Sequence, residues 1–157
     1  MLVVGTNSYV TLNEANEYID THYGDTNDLA CYWRVLGDTS QERWLLKSIQ
    51  QLENVVLTGI KEKQDQPLAF PRVRCYKEFT VPQEVKDAQV ENALGLFKKE
   101  LSGVSTKQLK TLNTLGVIKN WRKDENILTE STKLNTNYVE SDVAQRLLKS
   151  WLGGINK

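Results

Sequence analysis

One histidine, His22, and two cysteines, Cys31 and Cys75, are the side chains from which most catalytic or metal chemistry would have to be built. A histidine acts as a general base only with a hydroxyl, thiol or carboxylate held against it. No Ser, Cys or carboxylate stands at a suggestive spacing from His22, which reads as a boundary residue beside Tyr23 on an amphipathic helix. The cysteines are far apart and in no CxxC or metal-ligand pattern, so they read as buried free thiols. Zinc needs at least three converging ligands, and this set does not supply them. Glu14 and Glu17 are paired carboxylates, but beside a helix start they serve the helix dipole. No glycine-rich phosphate loop, HExxH or calcium-loop spacing occurs. The expectation is a protein without catalytic residues, cofactor or metal.

Binding chemistry is better represented. Residues 98–123 hold Lys98, Lys99, Lys107, Lys110, Lys119, Arg122 and Lys123 against one acid, Glu100. The stretch ends in Asn120-Trp121-Arg122-Lys123, where an aromatic beside cations could stack a base and hold phosphate. Against this, the whole chain has a formal net charge of zero, which makes a Trp121 packed under its own hairpin among solvated lysines the better reading. Residues 1–33 carry Glu14, Glu17, Asp20, Asp25 and Asp28 and no Lys or Arg. These opposite charges are either solvated faces or complementary faces of neighbouring copies, with Glu14, Glu17 and Asp20 on one and Lys107, Lys110 and Lys119 on the other.

The elements that must position these residues are mostly helical. Leu2 to Val10 reads as an extended arm, and Thr11 with Glu14 forms a capping box that opens a helix buried through Leu12, Ala15, Tyr18 and Ile19. A short helix follows over Leu29 to Leu36. Thr39 and Glu42 make a second capping box, which predicts a long central helix from about Ser40 to Leu57. Leu45, Ile49, Leu52 and Val56 are its buried stripe, widened by Trp44, Leu46 and Val55, while Gln41, Lys47, Gln50 and Glu53 face water. Ile60 to Thr80 is a structured, proline-containing loop with a candidate short hairpin across Arg74 to Phe79. Pro82 sits near the first turn of the next helix, whose core side is Val85, Ala88, Leu94, Phe97 and Leu101, with Ser102 and Gly103 ending it. Leu115 to Thr129 suggests an antiparallel pair. A last helix from Ser141 or Asp142 carries Val143, Leu147, Leu148 and Trp151 on its apolar face: core if it docks, a partner-binding anchor if it projects.

The chain has 157 residues, 39% hydrophobic and 25% charged, which fits one globular domain and not a disordered chain. Its apolar runs are far shorter than the roughly 20 residues of a membrane span, and no secretory signal pattern opens it, so cytoplasm is the default compartment. The fold class expected is mainly α, a small helical bundle, with a helical domain over 1–134 and a C-terminal helical arm over 135–157.

Three separate segments carry a family resemblance. Val4-Gly5-Thr6-Asn7-Ser8-Tyr9-Val10-Thr11-Leu12-Asn13-Glu14-Ala15 resembles an opening of the form G-x-N-S-Y-V-[ST]-L-x-E-A. Gln66-Pro67-Leu68-Ala69-Phe70-Pro71-Arg72 resembles a Q-x-L-x-W-P-R loop, with Phe70 in place of the usual Trp and Val73 where a glycine often follows. Val81-Pro82-Gln83-Glu84-Val85-Lys86-Asp87-Ala88 resembles a helix start, [IV]-P-x-x-[VI]-K-x-A. The family is the head-tail connector, or adaptor, group of tailed bacteriophages, some of whose members bear a DnaT-like single-stranded DNA-binding label. The resemblance implies a virion protein, made in the host cytoplasm, that forms a homo-oligomeric ring, dodecameric in form, under the portal vertex. Such a ring extends the channel through which DNA passes without sequence-specific contact, and it docks the tail or a tail-completion protein. Val143, Leu147, Leu148 and Trp151 then become the portal-binding arm, and Phe70, Pro71 and Arg72 a structural loop. The alternative function is a single-stranded DNA-binding replication accessory protein.

Overall fold

A computed structural model describes residues 1–73, 80–103 and 139–152. Among these the elements run α1 (Leu12–Tyr23), α2 (Asp28–Val35), α3 (Asp38–Glu53), β1 (Ile60–Lys61), β2 (Arg72–Val73), α4 (Gln83–Gly103) and α5 (Asp142–Leu148). The mainly helical expectation holds. The only β structure among the described residues, apart from isolated bridges, is one antiparallel two-residue ladder pairing Ile60 with Val73 and Lys61 with Arg72. The hairpin expected across Arg74 to Phe79 and the pair expected in Leu115 to Thr129 lie outside the described residues.

The Thr11 capping box forms as expected: Glu14 N donates to Thr11 Oγ1 at 3.1 Å, and Thr11 N donates to Glu14 Oε2 at 2.7 Å. The second box does not. Helix α3 begins at Asp38 with Gly37 as its cap, so Thr39 and Glu42 already lie inside the first turns, and Glu42 pairs instead with the Met1 amine at 3.0 Å. The same helix ends at Glu53 and not near Leu57; past its end Val55 is buried as expected, while Val56, expected in the stripe, is 59% exposed.

The longest described helix, and the one at the centre, is α4 and not α3. Its Val85 and Ala88 join Tyr9, Ile49, Leu52, Phe70, Leu148 and Trp151 in one apolar cluster. Its Val90, Ala93, Leu94 and Phe97 join Ile19, Trp33 and Leu45 in a second. A helix buried on so much of its circumference has no polar face of the usual width. Three polar residues, Gln89, Glu91 and Asn92, are therefore buried with it, and each finds a partner. Gln89 donates to Ser8 Oγ at 2.9 Å, Tyr18 Oη donates to Glu91 at 2.9 Å, and Asn92 donates to Gln51 at 3.0 Å. Gln41, expected in water, is also buried and donates to the Trp33 carbonyl at 2.9 Å. Burying a ring the size of Trp33 or Phe97, here edge to face at 6.0 Å, contributes on the order of 2–3 kcal/mol.

Candidate functional site

The three segments that carry the family resemblance meet in one joint. Tyr9, at the end of the opening segment, is 1% exposed and its hydroxyl donates to Glu53 Oε1 at 2.5 Å. The Tyr9 hydroxyl oxygen in turn accepts from Phe70 N at 3.2 Å, and the second Glu53 oxygen accepts from Ala69 N at 2.7 Å. A carboxylate at the last position of α3 thus orders the Gln66–Arg72 loop through its backbone. Burial and the neighbouring Glu53 charge push the Tyr9 phenol well above its ordinary pKa, so it remains the donor.

Within the loop, Gln66 donates to the carbonyls of Leu68 and Pro71 at 2.8 and 3.0 Å, and the Phe70–Pro71 bond is cis. Arg72 reaches back to the turn after α3, donating to the carbonyls of Thr58, Leu57 and Gly59 at 2.8, 3.2 and 2.5 Å. One guanidinium thus ties together three carbonyls of that turn. Phe70, Pro71 and Arg72 thus lie in a loop held by these hydrogen bonds. From the third segment's helix, Gln89 accepts from Tyr9 N at 2.8 Å, and Lys86 pairs with Glu14 at 3.0 Å.

The C-terminal segment closes the joint. Trp151 packs edge to face on Phe70 at 5.0 Å, its carbonyl accepts from Thr58 N at 2.7 Å, and Leu57 pairs with Leu152 in an antiparallel bridge. Asn92 Oδ1 accepts from Glu140 N at 2.8 Å and Ser141 N at 3.3 Å, and Ser141 then caps α5 by accepting from Ala144 N. Leu148 and Trp151, 2% and 8% exposed, are core residues here. Their place corrects the expectation of a projecting arm: α5 docks because its apolar face fills the groove beside Phe70. Val143 and Leu147 are half-buried.

The acidic residues expected at a subunit interface are partly engaged within the chain. Glu14 is held below the usual carboxylate range, first by the Thr11 amide and then by Lys86. Asp20 pairs with Arg34 at 2.8 Å, and Asp25 approaches the same guanidinium at 3.6 Å. Glu17 is exposed and lines, with Glu14, Thr21, His22, Lys86 and Asp87, an open cleft of about 290 Å³ between α1 and α4. His22 is exposed, stacked on Tyr18 at 4.0 Å, with Nδ1 2.9 Å from the Tyr18 carbonyl. Lys107, Lys110, Lys119 and Trp121 lie outside the described residues.

Sequence reasoning missed Glu91. It is 4% exposed and accepts from both Tyr18 Oη and Tyr23 Oη, at 2.9 and 2.7 Å. Burial and this carboxylate raise both phenol pKa values. The available signal was two tyrosines on one short helix, which need polar partners once buried. Among the described residues, no group of three or more His, Cys, Asp or Glu could hold a metal ion, and no helix is long and apolar enough to cross a membrane.

Residues 1–154 match the family model described as "Putative DnaT-like ssDNA binding protein", so the chain belongs to that family. The match carries the DnaT-like part of the resemblance and does not itself name a head-tail connector. No curated protein and no solved structure matches the chain.

Proposed function

We propose that this member of the DnaT-like family is a non-catalytic binding protein whose ligand is single-stranded DNA, held along the 98–123 stretch. The observation that carries the reading is the match of nearly the whole chain to a family described by that binding. The chain's own chemistry supports it. Lys98 and Lys99 are exposed near the C-terminal end of α4, where the basic stretch begins, and Asn120-Trp121-Arg122-Lys123 joins a stacking ring to phosphate-binding cations. Among the described residues, acidic side chains outnumber basic ones by sixteen to eleven. Such a body is a poor phosphate surface, which concentrates the electrostatic contribution in the basic stretch.

Fluorescence anisotropy with a labelled oligothymidine and a duplex of equal length tests the reading. The expected result is preference for the single strand, a loss of at least about tenfold when Lys107, Lys110 and Lys119 are each replaced by Glu, and a loss of about 1–3 kcal/mol in Trp121→Ala. Equal affinity for single strand and duplex, or a triple variant that binds as the parent does, would contradict it.

A second reading, a head-tail adaptor of a tailed phage, is favoured by one observation: the three resembling segments, far apart in sequence, build a single joint. By that reading the partners are further copies in a ring, a portal protein and a tail component. Portal contact then has to use surfaces other than Leu148 and Trp151, which the chain buries itself. Discrete rings on isolated portal in electron micrographs, with no affinity for oligothymidine, would favour this reading over the first.

A further inference from the structure

Helix α3 presses Ser48 and Gln51 against α4 and leaves one stripe open on its other side. Thr39, Arg43, Lys47, Gln50 and Asn54 are all exposed, and they follow one another at the three- and four-residue spacing of a single helical face. From Arg43 to Asn54 the stripe is about 16 Å long. It contains no acid. The carboxylates of this helix lie off it: Asp38 opens the helix, Glu42 pairs with the Met1 amine, and Glu53 is committed to Tyr9 and Ala69.

The cations of the stripe are uncommitted. Arg34, Lys86 and Lys99 pair with carboxylates, and Arg72 is spent on carbonyls. Arg43 has no such partner among the described residues. Lys47 has only the Trp44 ring, with its Nζ 4.1 Å from the ring centroid. Trp44 flanks the stripe, half-buried, and leans on Phe97 with ring centroids 5.7 Å apart. A ring face that holds an ammonium also suits a nucleobase, because both are attracted to the same π-surface.

We propose that this stripe is a second contact for single-stranded DNA, separate from the 98–123 stretch. One base stacks on Trp44, Lys47 moves from the ring to a phosphate, Arg43 holds a neighbouring phosphate, and Gln50 offers its amide to the strand. The inference rests on the single-stranded DNA reading above and adds to it a surface on the folded body. That body carries more acids than bases, so a polyanion meets least repulsion along an acid-free stripe. An acidic protein would satisfy the two cations but leave the indole face beside them unused, which favours a nucleic acid.

Binding of labelled oligothymidine by the full chain, followed against salt, tests the proposal. Replacing Arg43 and Lys47 together by Gln removes two phosphate contacts, so the slope of log affinity against log salt should become shallower by about 1.4, with the thermal midpoint unchanged. Replacing Lys63 and Lys149 together by Gln removes the same charge from exposed positions on other elements and should leave the slope as it is. Trp44→Leu should weaken binding about fivefold or more. Because Trp44 also packs on Phe97, the parent protein supplies a reading without substitution: oligothymidine should protect Lys47 from acetylation while Lys63 reacts as in the free protein. A parental slope after the loss of Arg43 and Lys47, or an unprotected Lys47, would overturn the proposal and leave the single-stranded reading standing as long as the parent binds. Equal shifts in the two double variants would overturn it by reducing the effect to net charge. A shifted slope with full affinity in a folded Trp44→Leu would overturn it in favour of a contact for any polyanion. A parent that does not bind oligothymidine would overturn both readings.

Discussion

Tyr9 and Glu53 are separated by 44 residues and joined by a 2.5 Å hydrogen bond. The Glu53 carboxylate then holds Ala69 N, while the Tyr9 oxygen holds Phe70 N. The two side chains therefore set the loop against which Trp151 packs. Tyr9→Phe should cost about 2 kcal/mol of folding free energy, within the range for hydrogen bonds to charged groups. Glu53→Gln should cost a similar amount, and the double variant clearly less than the sum, because both substitutions break one network. Urea unfolding of the four proteins reads the coupling; strict additivity would mean that the two residues act separately.

The docking of α5 makes a different prediction for Trp151. Trp151→Ala should destabilise the chain by about 3–5 kcal/mol, the usual cost of emptying a core site of that size. A projecting anchor would lose partner affinity with little change in stability. Thermal unfolding distinguishes the two, and an unchanged midpoint would place Trp151 outside the core.

Gly95→Ala adds a methyl group against Ser141, where a Cβ would also meet Ser141 Cα at 3.3 Å. The neighbour is largely backbone and must give by a few tenths of an ångström, so α5 should loosen before the rest. Hydrogen exchange at residues 142–152 should accelerate at least about fivefold, while exchange in α1 and α3 stays the same. Uniform exchange throughout would count against the close approach.

Much of the helical outline is legible in the sequence, and the reason is local. Thr11 and Glu14 make their box with each other, and Pro82 sits just before α4, so three or four neighbouring residues suffice. The central role of α4 is not legible, because Gln89, Glu91 and Asn92 interrupt its apolar pattern and look solvated. They are buried by partners far away in sequence: Ser8 and Tyr9 for Gln89, Tyr18 and Tyr23 for Glu91, and Gln51 and Glu140 for Asn92. Val56 misses the core for a related reason, since helical period projects past Glu53 while the helix itself ends there. The resembling segments were visible as motifs. That they meet at Tyr9, Phe70, Val85 and Ala88 required the fold.

Two ends of the pH range should report separate contacts. Glu14 has a lowered pKa in the folded chain, so its contribution is complete above about pH 4.3 and is lost as pH falls through the folded value. Glu14→Gln should flatten that acid limb. Tyr9, Tyr18 and Tyr23 have raised values, so their contribution is complete below about pH 10 and declines as pH rises above it. Tyr18→Phe should reduce the slope of stability against pH in the alkaline limb. An identical slope in parent and variant would mean that Tyr18 ionises as freely in the folded chain as in the unfolded one.

The salt dependence of oligothymidine binding tests the central claim most directly. Each phosphate neutralised on a single strand contributes about −0.7 to the slope of log affinity against log salt. Engagement of most of the seven basic side chains in 98–123 predicts a slope of roughly −3 to −5. Neutralising Lys107, Lys110 and Lys119 should make it shallower by about 2. A slope near zero, or no measurable binding at 50 mM salt, would contradict the assignment of this chain as a single-stranded DNA-binding protein.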